Sequence, residues 1–242
     1  MDYLDAVIQL LEEVRATQRE AIERAAQAVA EAIQADHLVY VFGASHAGIL
    51  AQEVFYRAGG LVPINPILPG GLTTDVRPVT LTSKLERLPG FGAQIISEYP
   101  VAAGDVLIVH SVSGRNAAAV EVAQGGRAAG AFVIAVTSLA YSRAVQPRQS
   151  GMPRLFEVAD LVLDNRAPVG DALVELPGLP QRAGTASTVT GAALLNAVMA
   201  RAAELLLQRT GDARVFMSAN LDGGDRHNQR WLEHYRGRLT YL

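Results

Sequence analysis

The chain has 242 residues, half of them apolar, which is enough to bury the core of one large domain. Its net charge of −3 and pI near 6.0 argue against a nucleic-acid-binding surface, which is normally basic. The absence of cysteine excludes disulfides, thiol catalysis and cysteine-ligated zinc.

The N-terminal segment predicts a helical arm over residues 1–36. Apolar side chains recur every three or four residues between positions 3 and 35, with a weaker pattern at Thr17 and Gln18 that allows a break into two helices. Such an arm either packs on a second copy of the chain or covers one face of a sheet. We expect a homodimer or a dimer of dimers.

This N-terminus lacks the basic start and apolar block of a signal peptide. We find no uncharged window of 18 apolar residues, the length that a membrane span needs. We therefore expect a cytoplasmic protein with neither a membrane nor a nucleic acid as partner.

Beyond the arm, short apolar strands alternate with helices. Strands are predicted at 37–42, 61–64, 105–109, 132–137 and 161–163, and helices at 49–57, 92–98, 116–129 and 188–209. Continuous apolar strands that are each followed by a helix predict a three-layer α/β/α sandwich around a central parallel sheet. We expect one domain over 1–242, with its α/β core at 37–210 and a C-terminal extension at 211–242.

Parallel sheets of this class bind ligands at the carboxyl ends of their strands. The loops to search are therefore 43–48, 110–116, 137–143 and 164–188. The first reads Gly-Ala-Ser-His-Ala-Gly; it lacks the lysine of a phosphate-binding P-loop, and Ser45 interrupts the dinucleotide fingerprint. Its similarity to a Gly-x-Ser-x-Gly nucleophile elbow leaves a serine hydrolase at Ser45 as a remote alternative.

The second loop, His-Ser-Val-Ser-Gly-Arg-Asn at 110–116, separates a strand from an alanine-rich helix. Hydroxyls and free backbone N–H groups at a helix N-terminus favour an anion. Ser113 or Asn116 can also serve as a simple N-cap, which would explain one of these residues but not the group. His110 ends the strand, as a satisfied buried histidine would. Anion binding is the favoured interpretation.

Three stretches together resemble the SIS (sugar isomerase) domain, a flavodoxin-like family. They are Phe-Gly-Ala-Ser-His-Ala from residue 42, His-Ser-Val-Ser-Gly-Arg-Asn from residue 110 and Ala-Gly-Thr-Ala-Ser-Thr-Val from residue 183. The resemblance covers roughly 37–210, and the Gly-Asp-Arg-His-Asn segment at 224–228 is similar to a poorly characterised subgroup. It implies a sugar phosphate as ligand and no cofactor.

By this resemblance, Ser111, Ser113 and Asn116 would hold the phosphate, and Gly114 and Arg115 would supply backbone N–H groups. Four further residues would contact the ligand from the first and third stretches: Gly43, Ser45, Thr185 and Ser187.

The family includes aldose–ketose isomerases, an etherase that eliminates lactate from a phosphosugar, and non-catalytic sensors. We expect an isomerase, with an etherase or a sensor as alternatives. Glu86, His46 and His227 are the candidate acid/base residues, and by the resemblance His227 could reach the site of a neighbouring subunit. Glu86 can also be a solvated acid paired with Lys84 or Arg87. We expect no metal, since the spacing of His227 and His234 with nearby aspartates matches no standard site.

Overall fold

The computed structural model describes residues 2–242. Five parallel strands form one sheet in the order β2-β1-β3-β4-β5. They are β1 (Val39–Gly43), β2 (Ile64–Ile67), β3 (Val106–His110), β4 (Phe132–Thr137) and β5 (Leu161–Asp164). Every residue of β1 and β3 is buried, because helices cover both faces of the sheet. The predicted α/β sandwich is confirmed.

Ten helices surround the sheet within residues 2–242. They are α1 (Tyr3–Thr17), α2 (Arg19–Gln34), α3 (Ile49–Glu53), α4 (Thr80–Leu85), α5 (Phe91–Ser97), α6 (Ala117–Ala128), α7 (Leu139–Ala144), α8 (Leu155–Val158), α9 (Ser187–Thr210) and α10 (Gly224–His234). One apolar cluster joins α2, α3 and α9 to the sheet, and a second joins α5, α6 and α8 to its other face.

The N-terminal arm is broken at Gln18, where the apolar pattern weakens. Its second half, α2, buries Val29 and Ile33 against the sheet, so α2 covers one face of the sheet. The first half, α1, leaves Leu4 and Ile8 exposed.

Helix α9 is apolar and long enough to cross a membrane by length and composition, although Arg201 and Glu204 leave it without an uncharged window of 18 residues. Half of its most apolar window is buried inside the protein. Leu194, Leu195 and Val198 pack in the cluster that also contains α2 and the sheet. This helix is apolar because it lies in the core between two layers of side chains.

Several elements differ from the sequence prediction, among them β2, α4 and a short hairpin, and the helices α7, α8 and α10 were not predicted. The second strand begins three residues later than expected and contains Pro66, which an edge strand tolerates because one side of its backbone pairs with no other strand. The region 65–90, predicted to be irregular, contains α4. An antiparallel hairpin of β6 (Ala172–Val174) and β7 (Ala183–Thr185) was not predicted, since three-residue strands leave no periodic pattern.

The segment that joins α4 to α5 is anchored on α6. The carboxylate of Glu121 accepts hydrogen bonds from the N–H groups of Gly90 and Gly92, both at 2.8 Å. One turn earlier on α6, the Ala118 N–H donates to the carbonyl of Glu86 at 3.0 Å. The backbone of Glu86 is therefore fixed beside the first turn of α6.

We predict that Glu121→Ala lowers the free energy of unfolding by about 1–2 kcal/mol, since hydrogen bonds to a charged group stabilise by roughly that amount when partly exposed. Urea unfolding measures the change. Glu20→Ala is the control, because Glu20 is an exposed acid on α2, and it should change stability by less than about 0.5 kcal/mol. Equal effects of the two substitutions would contradict the anchoring role.

Candidate functional site

A cavity of about 270 Å³ opens at the carboxyl ends of β1 and β3. The chain leaves these adjacent strands in opposite directions, toward β2 and toward β4, which makes this the topological switch point where α/β sheets bind ligands. Gly43 stands opposite His110 in the register of the two strands. A larger cavity of about 540 Å³ lies at the other end of the strands, beside His37 and Gly104, away from the loops that follow the strands.

The cavity brings together most of the side chains predicted for the site. Its lining includes Ser45, His46, Glu86, Ser111, Ser113 and Asn116. Three titratable residues that we did not predict for the site, His110, Tyr141 and Asp171, line it as well.

The first loop turns sharply at the end of β1. A side chain at Gly43 would put its Cβ 2.3 Å from the Ala47 carbonyl oxygen, so only glycine allows the turn. Ser45 has a φ of 55°, unusual for a residue with a side chain, and its N–H donates to the Leu72 carbonyl at 2.7 Å. Gly43 thus shapes the site without lining it. No hydrogen bond joins Ser45 to a histidine in the described chain.

The second loop is held through its carbonyl oxygens. Four successive carbonyls accept hydrogen bonds from the β4–α7 and α7–α8 regions. The pairs are Val112 with Ser138 N–H (3.0 Å) and Thr137 Oγ1 (3.1 Å), Ser113 with Ser142 Oγ (2.9 Å), Gly114 with Leu155 N–H (2.8 Å) and Arg115 with Arg148 N–H (3.3 Å). These carbonyl oxygens are therefore bound by neighbouring protein groups and do not face a ligand.

Gly114 makes this arrangement possible. Its φ is 57°, and a Cβ there would lie 2.8 Å from Ser142 Oγ, the group that binds the preceding carbonyl. A larger residue would strain the backbone and displace that hydroxyl. Gly114 and Arg115 do not line the cavity; their backbone determines where Ser113 and Asn116 stand.

Asn116 begins α6 but does not cap it with its side chain. Its Oδ1 instead accepts a hydrogen bond from Arg148 Nε at 3.0 Å. The simple N-cap interpretation is therefore not observed for Asn116. The positive end of the 12-residue helix α6 faces the region where the loop side chains meet.

Glu86 is partly buried in the cavity wall. Burial raises the pKa of its carboxyl, and the charge of Arg87 and a hydrogen bond with Asn116 oppose that rise. Neither Lys84 nor Arg87 forms an ion pair with Glu86 among residues 2–242. A carboxyl with a raised pKa in a cleft is typical of a group that exchanges protons with a ligand.

His110 is buried, and its two ring nitrogens have different environments. Nδ1 lies 3.1 Å from the Ala47 carbonyl, which can only accept, so Nδ1 carries the proton. Nε2 is then an acceptor, and it is buried without a hydrogen-bond partner. Burial lowers the pKa of His110, which favours the neutral ring. The expected satisfied histidine is therefore satisfied at one nitrogen only.

Three other predicted residues lie outside the cavity. Ser187 at the start of α9 donates from Oγ to Asp171 Oδ2 at 2.6 Å, so it orients a residue of the cavity wall. Thr185 is exposed on β7, and its carbonyl accepts from Tyr3 OH at 2.7 Å. His227 on α10 places Nε2 2.9 Å from the Val215 carbonyl. Direct ligand contacts for these three residues remain predictions.

The unpredicted residues lie in loops that had been predicted to border the ligand. Tyr141 belongs to loop 137–143, and Asp171 belongs to loop 164–188. Neither residue lies in a recognisable motif, and the position of its loop after a strand is the only signal that points to it.

Comparison with known proteins identifies the relatives of this chain. Residues 2–138 match the family model of the SIS domain. The UPF0309 protein of Shouchella clausii is 42% identical over 240 residues, which are 99% of this chain and 98% of that protein.

Solved structures with the same fold are more distant in sequence. A phosphoheptose isomerase from Francisella tularensis aligns with a TM-score of 0.54 and 18% identity over 86% of this chain and 95% of that chain. The Vibrio vulnificus NanR protein complexed with ManNAc-6P aligns with a TM-score of 0.51 and 14% identity over 96% of this chain and 67% of that chain.

We predict that the buried His110 makes the protein less stable as the pH falls from 7 toward 5. Unfolded His110 takes up a proton near its ordinary pKa of about 6.5, whereas native His110, with its lowered pKa, does not. The unfolded state then binds more protons, so the free energy of unfolding decreases.

His110→Asn removes the titrating ring while retaining an amide donor for Ala47, so its stability should depend less on pH than that of the wild type. Urea unfolding at several pH values tests this, and NMR titration of the wild-type ring should show no protonation between pH 7.5 and 6. Parallel pH dependences for the two proteins would contradict the assignment.

Proposed function

Because the chain belongs to the SIS domain family, we propose that it binds a phosphorylated sugar in the cavity between β1 and β3. The observation on which the proposal rests is the 111–116 loop, whose carbonyls at residues 112–115 are bound by neighbouring segments while Ser111, Ser113 and Asn116 line the cavity at the N-terminus of α6. Hydroxyls, an amide and a helix N-terminus together suit a phosphate dianion.

Two comparisons support this ligand class. A fold relative is a phosphoheptose isomerase, and another was solved with ManNAc-6P bound. The cavity, at about 270 Å³, suits a ligand no larger than a small sugar phosphate, since sites for drug-sized ligands start at about 300 Å³.

For the reaction, we propose aldose–ketose isomerisation. The phosphate, held by the 111–116 loop, anchors the sugar so that its carbonyl end lies near Glu86 and His46. Glu86 takes the proton from the hydroxyl-bearing carbon next to the carbonyl, which leaves an enediolate. The hydroxyl proton on that carbon moves to the former carbonyl oxygen, and Glu86 returns its proton to the former carbonyl carbon. The raised pKa of Glu86 brings this carboxyl closer to the pH at which it must both accept and release a proton.

We predict that sugar phosphates, but not the matching unphosphorylated sugars, raise the melting temperature. A ligand at 100 times its Kd stabilises the native state by about 2.7 kcal/mol. Ser113→Ala should weaken binding about tenfold, since a hydrogen bond to a charged group is lost. Ser97→Ala, at an exposed serine of α5, should not change it. If no phosphosugar in the panel shifts the melting temperature, the proposed function is wrong.

We predict that Glu86→Gln lowers turnover at least about 100-fold while leaving the Kd for sugar phosphate within about threefold, because general acid–base catalysis supplies a factor of roughly that size. Deuterium incorporation from D₂O at the carbon next to the carbonyl, followed by NMR, measures the proton transfer.

Glu98→Gln, at the exposed end of α5, is the matched control and should incorporate deuterium at the wild-type rate. A wild-type protein that binds sugar phosphate but exchanges no proton would contradict the isomerase and favour a non-catalytic sensor. Release of a ring substituent as a carboxylic acid would favour the etherase.

A further inference from the structure

Three arginines gather where the 111–116 loop meets two other segments. Arg148, between α7 and α8, donates from Nε to Asn116 Oδ1 at 3.0 Å, and its backbone N–H donates to the carbonyl of Arg115. Arg87 directly follows Glu86, whose carbonyl is tied to the first turn of α6. Arg115 and Arg148 are therefore held directly at the start of α6, and Arg87 follows a residue that is bound to the first turn of this helix.

None of these arginines has a carboxylate within 4.0 Å in residues 2–242. Arg115 Nε is buried without a hydrogen-bond partner. Burial and the like charges of Arg87 and Arg115 lower the pKa of Arg148, while Glu86 is the one nearby carboxylate that opposes them. Three arginine side chains are thus accompanied by a single nearby carboxylate, that of Glu86.

Such a cluster costs stability in the free protein, because like charges repel and a buried donor lacks a partner. Ten other arginines of the described chain do pair with acids, as Arg201 does with Glu23 and Glu204. Unpaired guanidinium groups around a cleft are the arrangement that recognises carboxylate or phosphate groups.

The arginines lie outside the part of the cavity assigned to the first phosphate. Ser111, Ser113 and Asn116 line the cavity, whereas the three arginines do not, and Arg148 reaches it only through Asn116. A phosphate bound to the loop would leave guanidinium groups at the rim for another part of the same ligand.

We propose that the ligand is a sugar phosphate with a second anionic group, a carboxylate or a second phosphate, which Arg148 binds at the rim of the cavity together with Arg87 and Arg115. This inference rests on the proposed phosphosugar function and narrows its substrate class.

Calorimetry with three probes tests the inference: a hexose 6-phosphate, a hexose 1,6-bisphosphate and 6-phosphogluconate. We expect at least one of the doubly anionic probes to bind wild-type protein ten times or more tightly than the monophosphate. The bisphosphate and the phosphosugar acid distinguish a second phosphate from a carboxylate. Arg148→Gln should remove most of this advantage while changing the monophosphate Kd by less than threefold.

Arg143→Gln is the matched control. Arg143 is an exposed arginine of α7 whose guanidinium lies 5.8 Å from the Phe156 ring centre. Arg143→Gln therefore changes the net charge by the same amount as Arg148→Gln without removing a group bound to Asn116. It should leave all three Kd values unchanged. Without ligand, Arg148→Gln should melt no lower than the wild type, because it relieves repulsion.

Two results would overturn the inference while the phosphosugar function stands. One is equal affinity of the wild type for all three probes; the other is an equal loss of affinity for all of them in Arg148→Gln, which would place Arg148 in the first phosphate site. Failure of every probe to bind would instead overturn the proposed function and this inference together.

Discussion

The site depends on the way the 111–116 loop is held from behind. Four consecutive carbonyls of this loop are bound by groups that follow β4 and precede α8, and Gly114 adopts the left-handed conformation that permits it. Because these hydrogen bonds are made to neighbouring segments of the protein, the loop keeps its shape without any ligand. Its hydroxyls and the start of α6 are therefore arranged before an anion arrives, which reduces the ordering cost of binding.

Much of the fold and the position of the site follow from the sequence. Apolar runs of four to six residues predict the buried parallel strands, and the rule that ligands bind at their carboxyl ends selects the loops containing Ser45 and Ser113. These local signals are strong because each strand is covered on both faces. Ser45, Glu86 and Asn116, which the resemblance assigns to the site, line one cavity.

The sequence does not reveal what depends on distant contacts. Arg148 and Asp171 lie in loops without a motif, and only the packed structure brings them to Asn116 and Ser187. His110 Nε2 carries no proton because the proton of the neutral ring is on Nδ1, which binds the carbonyl of Ala47, 63 positions earlier in the chain. Helix α10 is mostly polar, yet Tyr235, which directly follows it, is fully buried against the sheet layer. Such features come from tertiary packing, which no local pattern records.

The two edges of the sheet are both met by the chain's own segments. Beside β2, the Thr240 N–H donates to Asn65 Oδ1 and Leu61 pairs with Val215, while beside β5 the Asp164 N–H donates to Gln18 Oε1. Exposed strand edges are what allow chains to join by strand addition, in amyloid as in domain swapping. Here the N-terminal and C-terminal segments lie against the edges of the five-stranded sheet, which leaves less of its edge backbone free to pair with a strand of a second copy.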